Sequence, residues 1–368
     1  MNNVKNGNYG KLIAFLLIAV IFLCIFGFAA EGWQAETPNE PDSSEVIPGN
    51  NDDADENKDG GTPGNAKPEI YVPEHTNPLT GTECDQTTAH TNHTAFVFDT
   101  GAPFYGASYS DIAIEFPVED GATRLLSFIS DVSALGKVGA LAPTRGYISN
   151  LTRPFGSRLV ALGCDDKIAY SYTDISENLL DLAKSNGYHY TEYTHFNYSN
   201  GHLINAGLTN LSIGAPSTIA LPYTFADFSA SAIKGSVSCS SVIIPYSAGS
   251  QTELKYFTDK GVYYYSKNGV CKTDLLTDKS VCFDNVFILF ADAVTYETAV
   301  ATQMVLSTDT TGFGYYLTGG TSSYITWSTD EDGAYTFYNE NGTALTVNRG
   351  TSYIGFVKSS MSDSVKFN

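Results

Sequence analysis

The strongest constraint on this chain is the recurrence of short runs in which apolar and polar residues alternate, each ended by turn residues. Beyond about residue 226 such runs occupy 241–244, 254–257, 262–265, 285–290, 301–306, 314–317, 324–327, 334–338, 344–347 and 352–357. Alternation sends successive side chains to opposite faces of a sheet. Asn341-Gly342 between two runs is a hairpin signal. Residues 226–368 are therefore expected to form an antiparallel β-rich C-terminal domain. Upstream the signals are mixed. Segments 95–99 (AFVFD), 111–118 (DIAIEFPV), 122–130 and 158–162 read as strands, with Asp120-Gly121 as a two-residue turn. Segment 176–186 (SENLLDLAKSN) reads as a helix. It has a capping Ser, helical spacing of Leu179, Leu182 and Ala183, and Gly187 as a stop. The expected fold class is thus α+β: a mixed α/β N-terminal domain over 77–225, followed by the β-rich domain.

The first 76 residues follow other rules. Residues 12–30 (LIAFLLIAVIFLCIFGFAA) carry no charge. A run of about 20 apolar residues spans a bilayer as a helix. Lys5 and Lys11 precede it and Glu31 and Glu36 follow it, which places residues 1–11 in the cytoplasm and the rest outside. Gly27-Phe28-Ala29 also allows a cleaved signal peptide, and Cys24 a lipidation site behind bulky residues. Residues 31–76 hold 12 acidic residues against two lysines and almost nothing apolar, so they read as a disordered acidic linker. The whole chain has 20 Lys plus Arg and 40 Asp plus Glu, a net charge of −20, which argues against nucleic-acid binding. The expected location is the cell membrane, single-pass, with extracellular C-terminal domains.

Candidate chemistry centres on residues 110–128. With a two-residue turn at Asp120-Gly121, Pro117 would face Arg124 and Glu115 would face Leu126. Glu115, Glu119 and Arg124 would then share one sheet face, opposite Ile112, Ile114, Phe116 and Val118. Two carboxylates beside a guanidinium can have separated pKa values, which acid/base work on a glycosidic bond requires. A salt-bridged hairpin on a solvated face fits the same residues. Asp99 ends a strand, Arg145 follows a Gly/Pro-rich loop, Asp165 follows a strand end and His202 lies in SNGHLINAG; these are further ligand-binding candidates. Cys271 and Cys282 flank an apparent hairpin turn and could face each other in a disulfide, or remain free thiols. His90 and His93 are spaced i, i+3, which in extended chain sends them to opposite faces, so no metal site is expected. No phosphate loop, nucleophile elbow or other cofactor motif is present in the sequence.

These residues resemble the YerB-like lipoprotein family of Gram-positive bacteria, the domain of unknown function 3048 with its N- and C-terminal parts. The resemblance runs from about 77 to 357. It opens on Asn77-Pro78-Leu79-Thr80-Gly81 and continues through Ser110–Glu115, Val118–Arg124 and, loosely, Gly139–Arg145. It resumes at Asp284-Asn285-Val286, Gly312 to Tyr316, Ile325-Thr326-Trp327, Asn341-Gly342 and Gly350 to Ile354. His93, Ala102 and Ala142 stand where the family has arginines. If those arginines hold an anion, this chain binds it weakly or binds something else. The resemblance implies an envelope protein of two parts.

The function expected is that of a membrane-tethered envelope protein that binds or remodels cell-wall glycan. In the enzymatic version Glu115 or Glu119 is the general acid/base of a hydrolase or lytic transglycosylase, with Arg124 and Arg145 positioning the ligand. The alternative is a non-catalytic envelope binding or assembly module. The expected partners are cell-wall glycan or another envelope component and the membrane, without nucleic acid or a cofactor.

Overall fold

The computed structural model describes residues 71–90, 93–142, 151–161, 177–178, 196–197, 202–204, 219–297, 302–307, 311–331 and 334–368. The membrane run 12–30 and nearly all of the acidic segment 31–76 lie outside the described residues. Residues 67–368 cluster as one compact unit.

The strands needed here are, in chain order, β1 (Thr94–Asp99), β2 (Ile112–Pro117), β3 (Thr123–Ile129), β4 (Arg158–Ala161), β5 (Glu177–Asn178) and β6 (Val237–Ser238). There follow β7 (Ser241–Ser247), β8 (Ser250–Phe257), β9 (Val262–Lys267), β10 (Val270–Cys271), β11 (Thr273–Asp274), β12 (Lys279–Ser280) and β13 (Cys282–Phe283). The last are β14 (Asn285–Ala291), β15 (Thr311–Thr318), β16 (Thr321–Thr329), β17 (Tyr335–Asn339), β18 (Ser352–Lys358) and β19 (Lys366–Phe367).

Eleven strands form one large sheet, ordered β6-β16-β15-β14-β18-β2-β3-β1-β4-β5, with β17 also paired to β16. Its centre is β18, parallel to β14 on one side and to β2 on the other. The late strands β6, β16, β15, β14 and β18 form one side of this sheet and the early strands β2, β3, β1, β4 and β5 the other, and the two blocks are joined edge to edge at the β18–β2 pairing. A six-stranded sheet, β10-β9-β8-β7-β19 with β13 also on β9, packs on one face. That interface buries Phe96, Phe98, Leu125, Ile288 and Phe290 against Val242, Ile244, Leu254, Tyr263 and Tyr265. The other face buries Val97, Ile114, Phe116, Phe128, Phe287 and Trp327 with Leu79, Phe155, Tyr223 and Val347. Both faces of the central strands are apolar because both are covered.

The α+β expectation is corrected: the described residues are predominantly strand, with α1 (Gln86–His90) and short 3-10 turns as the helical elements described in full. A second sheet and ordered loops cover the large sheet where helices were expected. Of the expected helix 176–186, Glu177 and Asn178 form β5, parallel to β4, and the remaining residues lie outside the described ones.

The β2–β3 hairpin differs from expectation by one position. Its turn has three residues, Glu119–Gly121, and Val118 N–H donates to Ala122 O at 2.9 Å. The register is Pro117↔Thr123, Phe116↔Arg124 and Glu115↔Leu125. Gly121 supplies the positive φ of 73° that closes the turn. Its missing side chain also matters, because a Cβ there would lie 2.4 Å from the Ser247 Cβ.

Candidate functional site

The one-residue shift in register separates the predicted triad. Paired residues share a face, so Glu115 goes with Leu125 and Thr123, while Arg124 goes with Phe116 on the opposite side. Glu119 opens the turn beyond the end of β2. The expectation that Glu115, Glu119 and Arg124 share one face is thus corrected.

Glu115 lies between the two sheets and is 0% exposed. Its Oε1 accepts from Thr123 Oγ1 at 2.6 Å and from Lys267 Nζ at 2.8 Å. Its Oε2 accepts from Tyr353 O–H at 2.7 Å, and Thr252 Oγ1 lies 2.9 and 3.0 Å from the two oxygens. Lys267 is equally saturated: Nζ donates to Glu115, to Thr123 Oγ1 at 2.8 Å and to Thr252 Oγ1 at 3.0 Å. An ammonium has three protons, and all three are used. Burial first, and then the Glu115 charge, push the phenols of Tyr246, Tyr265 and Tyr353 well above their ordinary range. Tyr353 therefore stays a neutral donor to the carboxylate. This arrangement solvates a buried ion pair with protein groups. It leaves Glu115 no contact with solvent through which to pass a proton to a substrate.

Arg124 meets Asp99, its direct partner in the β1–β3 register, at 3.4 Å near the rim of the large sheet. Arg124 also donates to Thr123 O at 3.2 Å. Two of the predicted ligand-binding residues are therefore brought together, in a partly exposed ion pair on the side opposite Glu115. His202 begins a short strand, His202–Ile204, paired with Lys137–Val138 and Phe196–Asn197. Arg145 and Asp165 lie outside the described residues. Cys271 and Cys282 are free thiols, the first exposed and the second partly exposed. Among the described residues no three His, Cys, Asp or Glu side chains cluster as metal ligands.

Lys267, Thr252 and Tyr353 were missed by the sequence reading. Lys267 had a legible signal: in VYYYSK it falls in phase with Tyr263 and Tyr265, the buried face of β9. A cation on an apolar phase needs a buried anion.

A concavity of about 370 Å³ opens elsewhere, at the free edge of β16. β6 pairs with β16 at Thr321 and Ser322, and β17 pairs with it from Ile325 onward. Ser323 and Tyr324 lie in the gap between them and line the groove with Asn339, Glu340, Asn341 and Thr343. Tyr324 is 39% exposed and rests edge-on against Tyr315, with ring centroids 5.9 Å apart. The lining offers hydroxyls, amides, one carboxylate, the two tyrosines Tyr316 and Tyr324 and the apolar side chains of Ile233, Ala344 and Leu345.

No curated protein sequence matches the chain. Residues 242–354 match the C-terminal domain of the protein of unknown function DUF3048. The crystal structure of YerB protein from Bacillus subtilis superposes with a TM-score of 0.65 at 20% identity. That match covers 80% of this chain and 99% of the other. The two-sheet architecture with a mixed parallel centre is thus shared with a solved structure, and its second half carries the family's sequence pattern. Residues 242–354 belong to the DUF3048 C-terminal domain family, and the chain has a YerB-like fold.

Proposed function

We propose that the folded unit is a non-catalytic binding module of the cell envelope and that its ligand is an uncharged, hydroxyl-rich glycan. The observation that carries this reading is the state of Glu115, fully buried, ion-paired to Lys267 and hydrogen-bonded through both oxygens. A general acid must exchange its proton with the substrate or with water, so this carboxylate fits a structural role better than a catalytic one. Asp99 and Arg124 are already paired with each other and sit away from Glu115, so they do not complete an acid/base pair with it. The groove beside Tyr324 supplies the kind of lining that sugars use: tyrosines with amides and hydroxyls around them. The net charge of −20 disfavours polyanionic ligands and is compatible with a neutral polymer. The apolar run at 12–30 and the acidic segment after it would hold the module at the outer face of the membrane.

The test is sedimentation with insoluble peptidoglycan. Residues 67–368 are expected to co-sediment and to release no soluble muropeptide. Glu115→Gln should match the parent in both respects, whereas Tyr324→Ala should weaken binding about tenfold. Release of muropeptides by the parent that disappears in Glu115→Gln would restore the enzymatic reading. Failure of the parent to co-sediment would remove the glycan.

A further inference from the structure

Cys271 and Cys282 stand at the base of the hairpin formed by β11 and β12. The hairpin pairs Thr273 with Ser280 and Asp274 with Lys279. One step outward, Val281 N–H donates to Lys272 O at 2.9 Å. One step further along each strand stand Cys271 and Cys282.

Their positions along β9 place them independently. Cys271 pairs with Ser266 and Cys282 with Tyr264. Between them, Lys272 N–H donates to Tyr265 O, and Tyr265 N–H donates to Val281 O, each at 2.9 Å. Tyr264 and Ser266 are two residues apart and so share a face, the outer one, since Tyr263, Tyr265 and Lys267 are the buried phase. Residues paired across an antiparallel ladder share a face as well. Both thiols therefore project from the same outer side of the same sheet edge. Two steps along a strand amount to about 6.8 Å, the upper limit of Cα separations bridged by a disulfide. A thiolate at Cys271 is also felt at Cys282, whose thiol is raised first by burial, then by Asp284 and by Cys271.

The hairpin has a mechanical task. Asp274 is fully buried and docks the hairpin on the loop after β1. Its Oδ1 accepts from Gly106 N–H and its Oδ2 from Ser108 N–H, both at 2.9 Å. Lys272 adds a bond to Ala102 O at 2.8 Å. This loop follows Asp99, so the hairpin braces the strand end that carries the Asp99–Arg124 pair.

We propose that Cys271 and Cys282 form a reversible disulfide that locks this hairpin onto the loop at Ala102–Ser108. The oxidant is a disulfide donor, either a small-molecule disulfide or an oxidised dithiol protein. One thiolate attacks the donor's S–S bond, giving a mixed disulfide, and the second displaces the donor sulfur. One S–S bond forms here and one breaks in the donor. The two thiol hydrogens end on the donor, which leaves reduced. Closing the segment restricts the open states of the hairpin more than the docked one. The inference does not depend on what the groove binds.

The test uses the full chain carrying Cys24→Ser, Cys84→Ser and Cys164→Ser, equilibrated in glutathione buffers from fully reduced to fully oxidised and then alkylated. The expected result is concerted loss of alkylation at Cys271 and Cys282 and a cross-linked peptide lighter by two hydrogens. Amide exchange across 273–280 should slow roughly tenfold on oxidation. Cys271→Ser and Cys282→Ser, added singly, should each abolish both changes while leaving the exchange pattern of the reduced parent. Independent alkylation of the two thiols in oxidising buffer, or accumulation of glutathione adducts alone, would overturn the disulfide. A disulfide that forms without slowing exchange would overturn the locking role.

Discussion

At the scale of single residues, the molecule depends on a few buried polar groups whose partners lie far away in sequence. Glu115 and Lys267 are 152 residues apart and meet between the two sheets. Removing one member leaves the other charge buried and unpaired, which costs about 3–5 kcal/mol. Lys267→Met should lose that much in urea denaturation, whereas the double variant Glu115→Leu/Lys267→Met should recover most of it. A double variant as unstable as Lys267→Met would show that the ion pair is not what matters. His93 gives a second residue-scale expectation. It is 4% exposed, its Nδ1 has no hydrogen-bond partner, and burial lowers its pKa from 6.5 to about 4. The folded state thus resists protonation more than the unfolded chain does. Between pH 6.5 and about 4 the unfolded state binds more protons, so stability falls as the pH drops through that window. The loss approaches about 3 kcal/mol at the acid end. Urea midpoints at pH 7 and pH 4.5 should therefore converge in His93→Leu relative to the parent. An unchanged pH dependence in that variant would assign the acid sensitivity to other groups.

At the scale of elements, alternation was legible and register was not. Of the β-runs read from the sequence, 285–290 and 352–357 fall within β14 and β18, and 241–244 within β7. The strands of the 110–128 hairpin were also correct, but its turn was assigned two residues instead of three. A three-residue turn and a two-residue turn differ by one step in pairing, and one step moves a side chain to the other face. Arg124 therefore left the Glu115 face and joined Asp99. No local signal separated the two turns, because Asp-Gly suits both. The choice agrees with the close approach of Gly121 to Ser247 in a strand 126 residues away. The cysteine pair shows the opposite case: the hairpin that it flanks was readable from its own residues, since hairpin pairing is local.

At the scale of the whole molecule, the large sheet is one object assembled from both ends of the folded chain. β18 supplies an edge to β2 through four residue pairs and to β14 through seven. A fragment of residues 226–368 would expose the β2 side of β18 and bury Lys267 without Glu115. Expressed alone, it should fail to give dispersed amide resonances, or should associate through the open edge. A monomeric, well-dispersed spectrum from that fragment would show that the second half folds independently. The amino-acid order was enough to specify strands, turns, the charge-free run near the start and the acidic segment, because each of these depends on neighbours within a few positions. It was also enough to mark Lys267 as a cation on an apolar phase. What it left open is which strands become neighbours, which face each hairpin turns inward and which distant group answers a buried charge. Those outcomes arise when non-local strands compete for one core, where burying a complete apolar face and satisfying every enclosed polar atom outweigh local preference.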